Sequence, residues 1–82
     1  MSRKPKNHII KILSEYFNAV QEGRKCFEIR RDDRDYQVGD TVQLAEFDGA
    51  EFTGNFIEVQ IIYILRDCPQ YGLMSGYCIF GW

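Results

Sequence analysis

The sequence predicts an α+β, mainly β domain in which short strands curve into a small barrel with one helix packed at its end. Three observations lead to this fold class. Apolar and polar residues alternate in several runs between residue 8 and the end of the chain, which is typical of half-buried strands. One segment near the start has helical spacing instead. A chain of 82 residues, 45% of them hydrophobic, is long enough for one core without disulfides.

The first elements follow from local signals. Residues 1–7 are polar and basic and contain Pro5, so we expect a flexible tail before a single domain at residues 8–82. A β-rich run at residues 8–13 predicts the first strand. A helix is predicted at residues 15–22, with Ser14 as its N-cap and Gly23 as its left-handed stop.

The segment after the helix carries the most unusual charge pattern. Residues 26–31 alternate as a strand, which would place Phe27 and Ile29 toward the core and Glu28 and Arg30 on the opposite face. With Lys25 just before the strand, that polar face offers an acid between two bases.

Further strands complete the predicted sheet. Residues 32–35 are too polar to be buried and predict an exposed loop. Strands are predicted at residues 41–47, 55–65 and 77–80. The first two are joined by a loop bracketed by the turn signals Asp48-Gly49 and Thr53-Gly54. Closing such strands into a barrel would remove exposed edges.

Charge and cysteine content limit the classes of function that the sequence allows. The net charge of −2 hides an asymmetry: residues 1–31 carry eight bases and three acids, whereas residues 32–82 carry two bases and nine acids. A local anion-binding patch is compatible with this, but indiscriminate binding to long duplexes is not. Three cysteines without a C-x-x-C pair and a single histidine argue against zinc, so no metal or cofactor is expected. No signal-like or membrane-spanning apolar segment is evident, which favours the cytoplasm.

The motif Gly23-x-Lys25-x-x-Glu28-x-Arg30 resembles the G-x-K-x-x-E-x-R signature of ASCH domains, which belong to the PUA-like β-barrels. The order of the surrounding residues is similar to a short bacterial and phage branch of unassigned function. The resemblance implies a cleft, lined by the motif strand and the preceding helix, that binds RNA or a nucleoside-like ligand. Some ASCH proteins hydrolyse an acetyl amide on cytidine derivatives with a lysine matching Lys25, but they carry threonine where this chain has Glu28.

The expected function is therefore a binding module that recognises single-stranded RNA or a modified base. Its ligand-binding residues would be Lys25, Glu28, Arg30, Lys11, His8 and Tyr36. One alternative is a small amidohydrolase acting on acylated cytidine, with Lys25 stabilising the oxyanion and Glu28 activating water. Another is a protein-interaction domain that uses an open sheet edge. A purely structural interpretation makes Glu28 and Arg30 a surface ion pair.

Overall fold

Two three-stranded sheets and one α-helix form the fold in a computed structural model that describes residues 4–82. The elements in chain order are β1 (Asn7–Leu13), α1 (Ser14–Gln21), β2 (Phe27–Arg31), β3 (Thr41–Phe47), β4 (Phe52–Gln60), β5 (Tyr63–Arg66), a 3-10 turn (Pro69–Tyr71) and β6 (Tyr77–Gly81). The strand orders are β1-β3-β4 and β2-β6-β5. The mainly β class with one helix is confirmed.

The first sheet mixes both strand directions. β1 runs parallel to β3, with Ile10 opposite Leu44, and β4 runs antiparallel to β3. In the second sheet, β6 lies between β2 and β5 and is antiparallel to both. A parallel pair needs a long crossover, and the chain provides one through α1 and β2 before it returns to β3.

The core lies between the inner faces of the two sheets and is closed at one end by α1. Each sheet and the helix contribute buried side chains, namely Ile10, Ile12, Val42, Leu44, Cys78, Phe80, Phe17 and Val20. Fully burying a side chain of this size stabilises the fold by about 1.5–3 kcal/mol. The alternation that predicted β1 and β3 corresponds to inward faces that carry Ile10 and Ile12 in β1 and Val42 and Leu44 in β3.

The start of α1 differs from the predicted cap. The helix begins at Ser14 itself, and Leu13 occupies the N-cap position without a side-chain hydrogen bond. The Ser14 hydroxyl instead bonds the Glu46 carboxylate on β3, which lowers the pKa of Glu46 below its ordinary value. Ser14 therefore ties the helix to the first sheet, a long-range contact that the local sequence could not reveal.

The end of α1 confirms the role of Gly23. This glycine has φ +78°, in the left-handed region, and its N–H donates to the Val20 carbonyl at 3.0 Å. The Arg24 N–H donates to the Ala19 carbonyl at 2.9 Å, which completes a Schellman motif. The reversal fixes the direction in which the chain enters β2.

The predicted facing of β2 is wrong. Phe27 and Ile29 are 45% and 54% exposed, whereas Glu28 is only 6% exposed. The pairing with β6 explains this, because Glu28 lies opposite the buried Phe80 and therefore shares its inward face. The alternation of residues defines the two faces of β2, but the register of its pairing with β6 determines which face is buried.

The long strand predicted at residues 55–65 is in fact two strands in different sheets. Between β4 and β5, Ile61 is buried; its N–H donates to the Asp40 carbonyl and its own carbonyl accepts from the Gly39 N–H, each at 2.8 Å. The predicted turn at Thr53-Gly54 lies inside β4, close to a register shift in its pairing with β3. There Gly54 has φ +93°, as a bulge favours.

Part of the predicted tail is tied to the fold. The Lys6 N–H donates to the Asp40 carboxylate and the Lys6 carbonyl accepts from the Thr41 N–H, both at 3.0 Å. Asn7 is already the first residue of β1. Residues 1–3 of the predicted tail lie outside the described residues. In the described part of the chain, no helix is long and apolar enough to cross a membrane.

Candidate functional site: the cleft between β1 and β2

An edge strand of each sheet borders a cleft. β1 and β2 are both terminal strands, and no hydrogen-bonded ladder joins them within residues 4–82. Arginine side chains bridge the gap instead. Arg30 donates to the Lys11 carbonyl, and Arg34 Nη1 donates to the Ile9 carbonyl at 2.7 Å. Two carbonyls on the open edge of β1 thus accept from side chains rather than from a neighbouring strand.

The larger pocket of the cleft has a volume of about 530 Å³. Its lining comes from β1, α1, β2 and the turn before β2, and comprises Lys11, Ile12, Leu13, Tyr16, Lys25, Phe27, Glu28, Ile29 and Arg30. Four of these, Leu13, Tyr16, Phe27 and Ile29, are exposed apolar side chains. A pocket of this size, with apolar walls and a few convergent polar groups, is typical of small-ligand sites.

A carboxylate held between two cations forms the polar part of this pocket. Lys25 Nζ donates to Glu28 Oε1, and Arg30 Nε donates to Glu28 Oε2 at 3.0 Å. We call these three residues the triad. Its net charge is +1, and all three side chains are partly or largely removed from solvent. The interpretation of Glu28 and Arg30 as a mere surface ion pair does not describe this arrangement.

Lys25 is held by more than its carboxylate. Its ammonium also donates to the Phe27 carbonyl at 2.8 Å, and it lies 5.6 Å from the Tyr16 ring centroid and 5.1 Å from that of Phe27. Both distances are within reach of a cation–π attraction. The charge is therefore positioned at the junction of the polar and aromatic parts of the pocket.

The six predicted ligand-binding residues fall into two groups. Lys11, Lys25, Glu28 and Arg30 surround the larger pocket. His8 and Tyr36 do not join them, because both lie in the core with their ring centroids 4.7 Å apart.

The core positions of His8 and Tyr36 have clear causes. His8 is on the inward face of β1 and its Nε2 donates to Asp40 Oδ2 at 2.8 Å. Tyr36 is 1% exposed, and this burial raises the pKa of its hydroxyl above the ordinary value. Because its ring is buried, Tyr36 offers no accessible face on which a base could stack.

The family resemblance implied that the helix before the motif strand lines the cleft, but the sequence prediction named no helix residue for the site and did not include the second pocket. Tyr16 and Leu13 form an apolar wall, because α1 follows β1 directly and turns its exposed side toward β2. A second pocket of about 130 Å³ lies beside the first, and its lining includes Arg30, Arg31 and Arg34. The close spacing of the arginines in the sequence could have indicated this second pocket. Their side chains line one surface only because β1 and β2 lie near each other.

Other chemistry is sparse in the described residues. Within residues 4–82, no three His, Cys, Asp or Glu side chains converge as ligands for a metal ion. Cys26 is exposed, whereas burial raises the pKa of the Cys78 thiol to about 11. A thiol with so high a pKa is almost wholly protonated at neutral pH and therefore a poor nucleophile.

Comparison with known proteins adds a family and a phage relative. A family model described as a domain of unknown function, DUF3850, matches residues 7–82, which include every element described above. A protein of Escherichia phage P2, named an uncharacterized 12.9 kDa protein in the GpA 3' region, is 43% identical over 56 residues. The alignment covers 68% of this chain and 51% of the phage protein, so the chain spans about half the length of that relative.

Proposed function

The chain belongs to the DUF3850 family of domains of unknown function, and we propose that it binds a nucleobase, in single-stranded RNA or in a free nucleotide, in the larger pocket between β1 and β2. The observation that carries the proposal is the triad at the junction of polar and aromatic walls. Planar bases are commonly recognised by stacking on aromatic rings together with hydrogen bonds to their edges. The pocket offers both.

Fold stability alone does not explain why Glu28 is buried. A buried ion pair is weak evidence for stability, because apolar side chains of similar volume often stabilise a fold at least as well. Glu28 nevertheless occupies an inward position of β2, opposite Phe80. A ligand-recognition role accounts for a carboxylate at this place, where core packing does not.

The donor and acceptor inventory suits a base edge. A carboxylate has about four lone-pair sites, of which Lys25 and Arg30 occupy two on Glu28. The remaining sites can accept from an exocyclic amine. Arg30 and Lys25 supply N–H donors for a ring carbonyl or a ring nitrogen, and the exposed rings of Tyr16 and Phe27 supply apolar faces. Cytosine and adenine derivatives present complementary patterns.

The same geometry favours recognition over hydrolysis. An amidohydrolase would need Glu28 to take a proton from water, and a protonated Glu28 would lose the negative charge that holds Lys25 and Arg30. Recognition of a base needs no such proton transfer, because an exocyclic amine only donates to a free lone pair of the carboxylate. Turnover of N4-acetylcytidine that disappears in Glu28→Gln would replace the binding proposal with the hydrolytic one.

We also propose that the fold is a partly open member of the PUA-like barrels, close to the ASCH domains. Two observations support this. Gly23, Lys25, Glu28 and Arg30 of the signature are brought together at the helix end and on β2, beside one pocket. The two sheets also enclose a single core, with arginine side chains spanning the gap between β1 and β2. An experimental structure with the ligand bound would test both the fold family and the site.

Fluorescence anisotropy with labelled single-stranded RNA, measured at several salt concentrations, tests the function. We expect measurable affinity at low salt, and a loss of roughly tenfold or more in Lys25→Ala because one charge-assisted hydrogen bond is removed. Arg24→Ala is the matched control, since Arg24 is adjacent and equally charged but pairs with Glu22 outside the pocket. Failure of RNA and of free nucleotides alike to bind at low salt, or equal affinity in Lys25→Ala and wild type, would refute the proposal.

A further inference from the structure

The smaller pocket continues the cleft beyond the triad. It is lined by Ile10 of β1, by Arg30 and Arg31 of β2, and by Asp33, Arg34 and Tyr36 of the following loop. Arg30 lines both pockets and therefore forms the wall between them. The two pockets are therefore neighbours, and a ligand that extended past Arg30 from the larger pocket would enter the smaller one.

Three guanidinium groups give the smaller pocket a positive charge. Asp33 is the single carboxylate in its lining, and the neighbouring Asp32 is bound by Arg66 at 2.7 Å. This concentration of cations is local, because the whole chain has a net charge of −2. A positive concave surface in an acidic protein selects for an anion by attraction over a short range.

Structural roles account for only some of the arginine donors. A guanidinium has five N–H donors. Arg34 uses Nη1 to bind the Ile9 carbonyl, and Arg30 uses Nε and Nη2 for Glu28 and the Lys11 carbonyl. Arg31 contacts the Tyr77 ring at 5.6 Å and has no ion-pair partner among residues 4–82. Donors therefore remain on all three arginines, and planar guanidinium groups suit phosphate oxygens.

We propose that the smaller pocket is a phosphate subsite, so that the ligand of the cleft is a phosphorylated nucleoside with its base in the larger pocket. This inference rests on the proposed function. From Glu28 to Arg31 is three residues, roughly 10 Å along a strand, a separation that an extended nucleotide can bridge from base edge to phosphate. The phosphate is either the monoester of a free nucleotide or a diester of a single strand, and both present anionic phosphate oxygens to the guanidinium groups.

Isothermal titration of the wild-type chain with each common ribonucleoside and its 5'-monophosphate tests the subsite. We expect the monophosphate to bind about tenfold or more tightly than the nucleoside. A second arm uses dinucleoside monophosphates: a matching gain there identifies an RNA strand as the source, and a gain confined to the monoester identifies a free nucleotide. Nucleoside binding with no gain from phosphate in either arm overturns the subsite and leaves the proposed function standing.

Substitutions in the smaller pocket test which arginines account for the gain in affinity that the phosphate provides. In Arg31→Gln the advantage of the phosphate should fall at least severalfold while nucleoside affinity stays unchanged. This variant is preferred to Arg34→Gln, because Arg34 also holds the edge of β1. Arg24→Gln is the control, and it should behave as wild type. A full phosphate advantage in both Arg31→Gln and Arg34→Gln overturns the subsite. Failure of nucleosides, nucleotides and RNA alike to bind overturns the proposed function as well.

Discussion

Replacing Glu28 with glutamine exchanges a single heavy atom, yet we expect it to destabilise the fold strongly. The substitution keeps the shape of the side chain but removes the negative charge between Lys25 and Arg30. It also turns an amide NH₂ toward one of the two cations, where a carboxylate oxygen had accepted. Two positive groups then face each other without an intervening acid.

The magnitude follows from the burial of the triad. Removing one partner of a fully buried ion pair costs about 3–5 kcal/mol, and exposed pairs contribute about 0–1 kcal/mol. The side chain of Glu28 is 8% exposed, but those of Lys25 and Arg30 are 15% and 29% exposed, so water can partly solvate them. We therefore expect the free energy of unfolding to fall by about 2 kcal/mol.

Urea denaturation followed by circular dichroism measures this loss. For a small domain with an m-value of about 1 kcal/mol/M, the midpoint should fall by about 2 M, and the melting temperature by roughly 10 °C. Glu58→Gln is the matched control, because Glu58 is an exposed strand residue outside the pocket. If Glu28→Gln and Glu58→Gln both stayed within about 0.5 kcal/mol of wild type, the triad would not be a coupled buried unit.

Two further stability predictions concern the core. Asp40→Asn should lower the free energy of unfolding by about 2–4 kcal/mol, because Asp40 accepts from His8 and from the backbone N–H groups of Lys6 and Gln37. Urea unfolding measures this loss, with the exposed Asp67→Asn as the control. Equal stability of the two variants would contradict the prediction. Cys78 has a folded pKa of about 11 against an ordinary 9.0, so the unfolded thiol ionises first and stability should fall by about 1–3 kcal/mol between pH 9 and 11. Urea midpoints across that range should decline less in Cys78→Ala, and equal declines would refute the assignment.

Local signals predicted the elements whose formation depends on neighbours in the chain. Alternation in residues 8–13 and 41–47 identified β1 and β3, because apolar side chains recur at every second residue on one face of each strand, at Ile10 and Ile12 and at Val42 and Leu44. Gly23 ended α1 as predicted, since a left-handed residue is needed there. The run at residues 55–65 was wrongly predicted as one strand, because its second half is apolar on both faces and nothing in it indicates the passage from one sheet to the other.

The candidate site was predictable only in part for a similar reason. The spacing of Lys25, Glu28 and Arg30 predicted that their side chains would meet on one face of β2. His8 and Tyr36 were assigned to the site by their chemistry alone, and both are core residues. Histidine and tyrosine are compatible with either environment when a buried partner such as Asp40 satisfies their polar atoms, and partners distant in sequence are not visible locally.

What the sequence by itself determined was the mainly β class, the single helix with its glycine stop, and the grouping of an acid with two bases after that helix. Only the tertiary structure decided that Glu28 points inward and Phe27 outward, because strand alternation defines two faces and the pairing with β6 selects the buried one. The tertiary structure also decided that β1 and β2 stay apart, bridged by Arg30 and Arg34. That separation, set by contacts distant in sequence, is what creates the cleft.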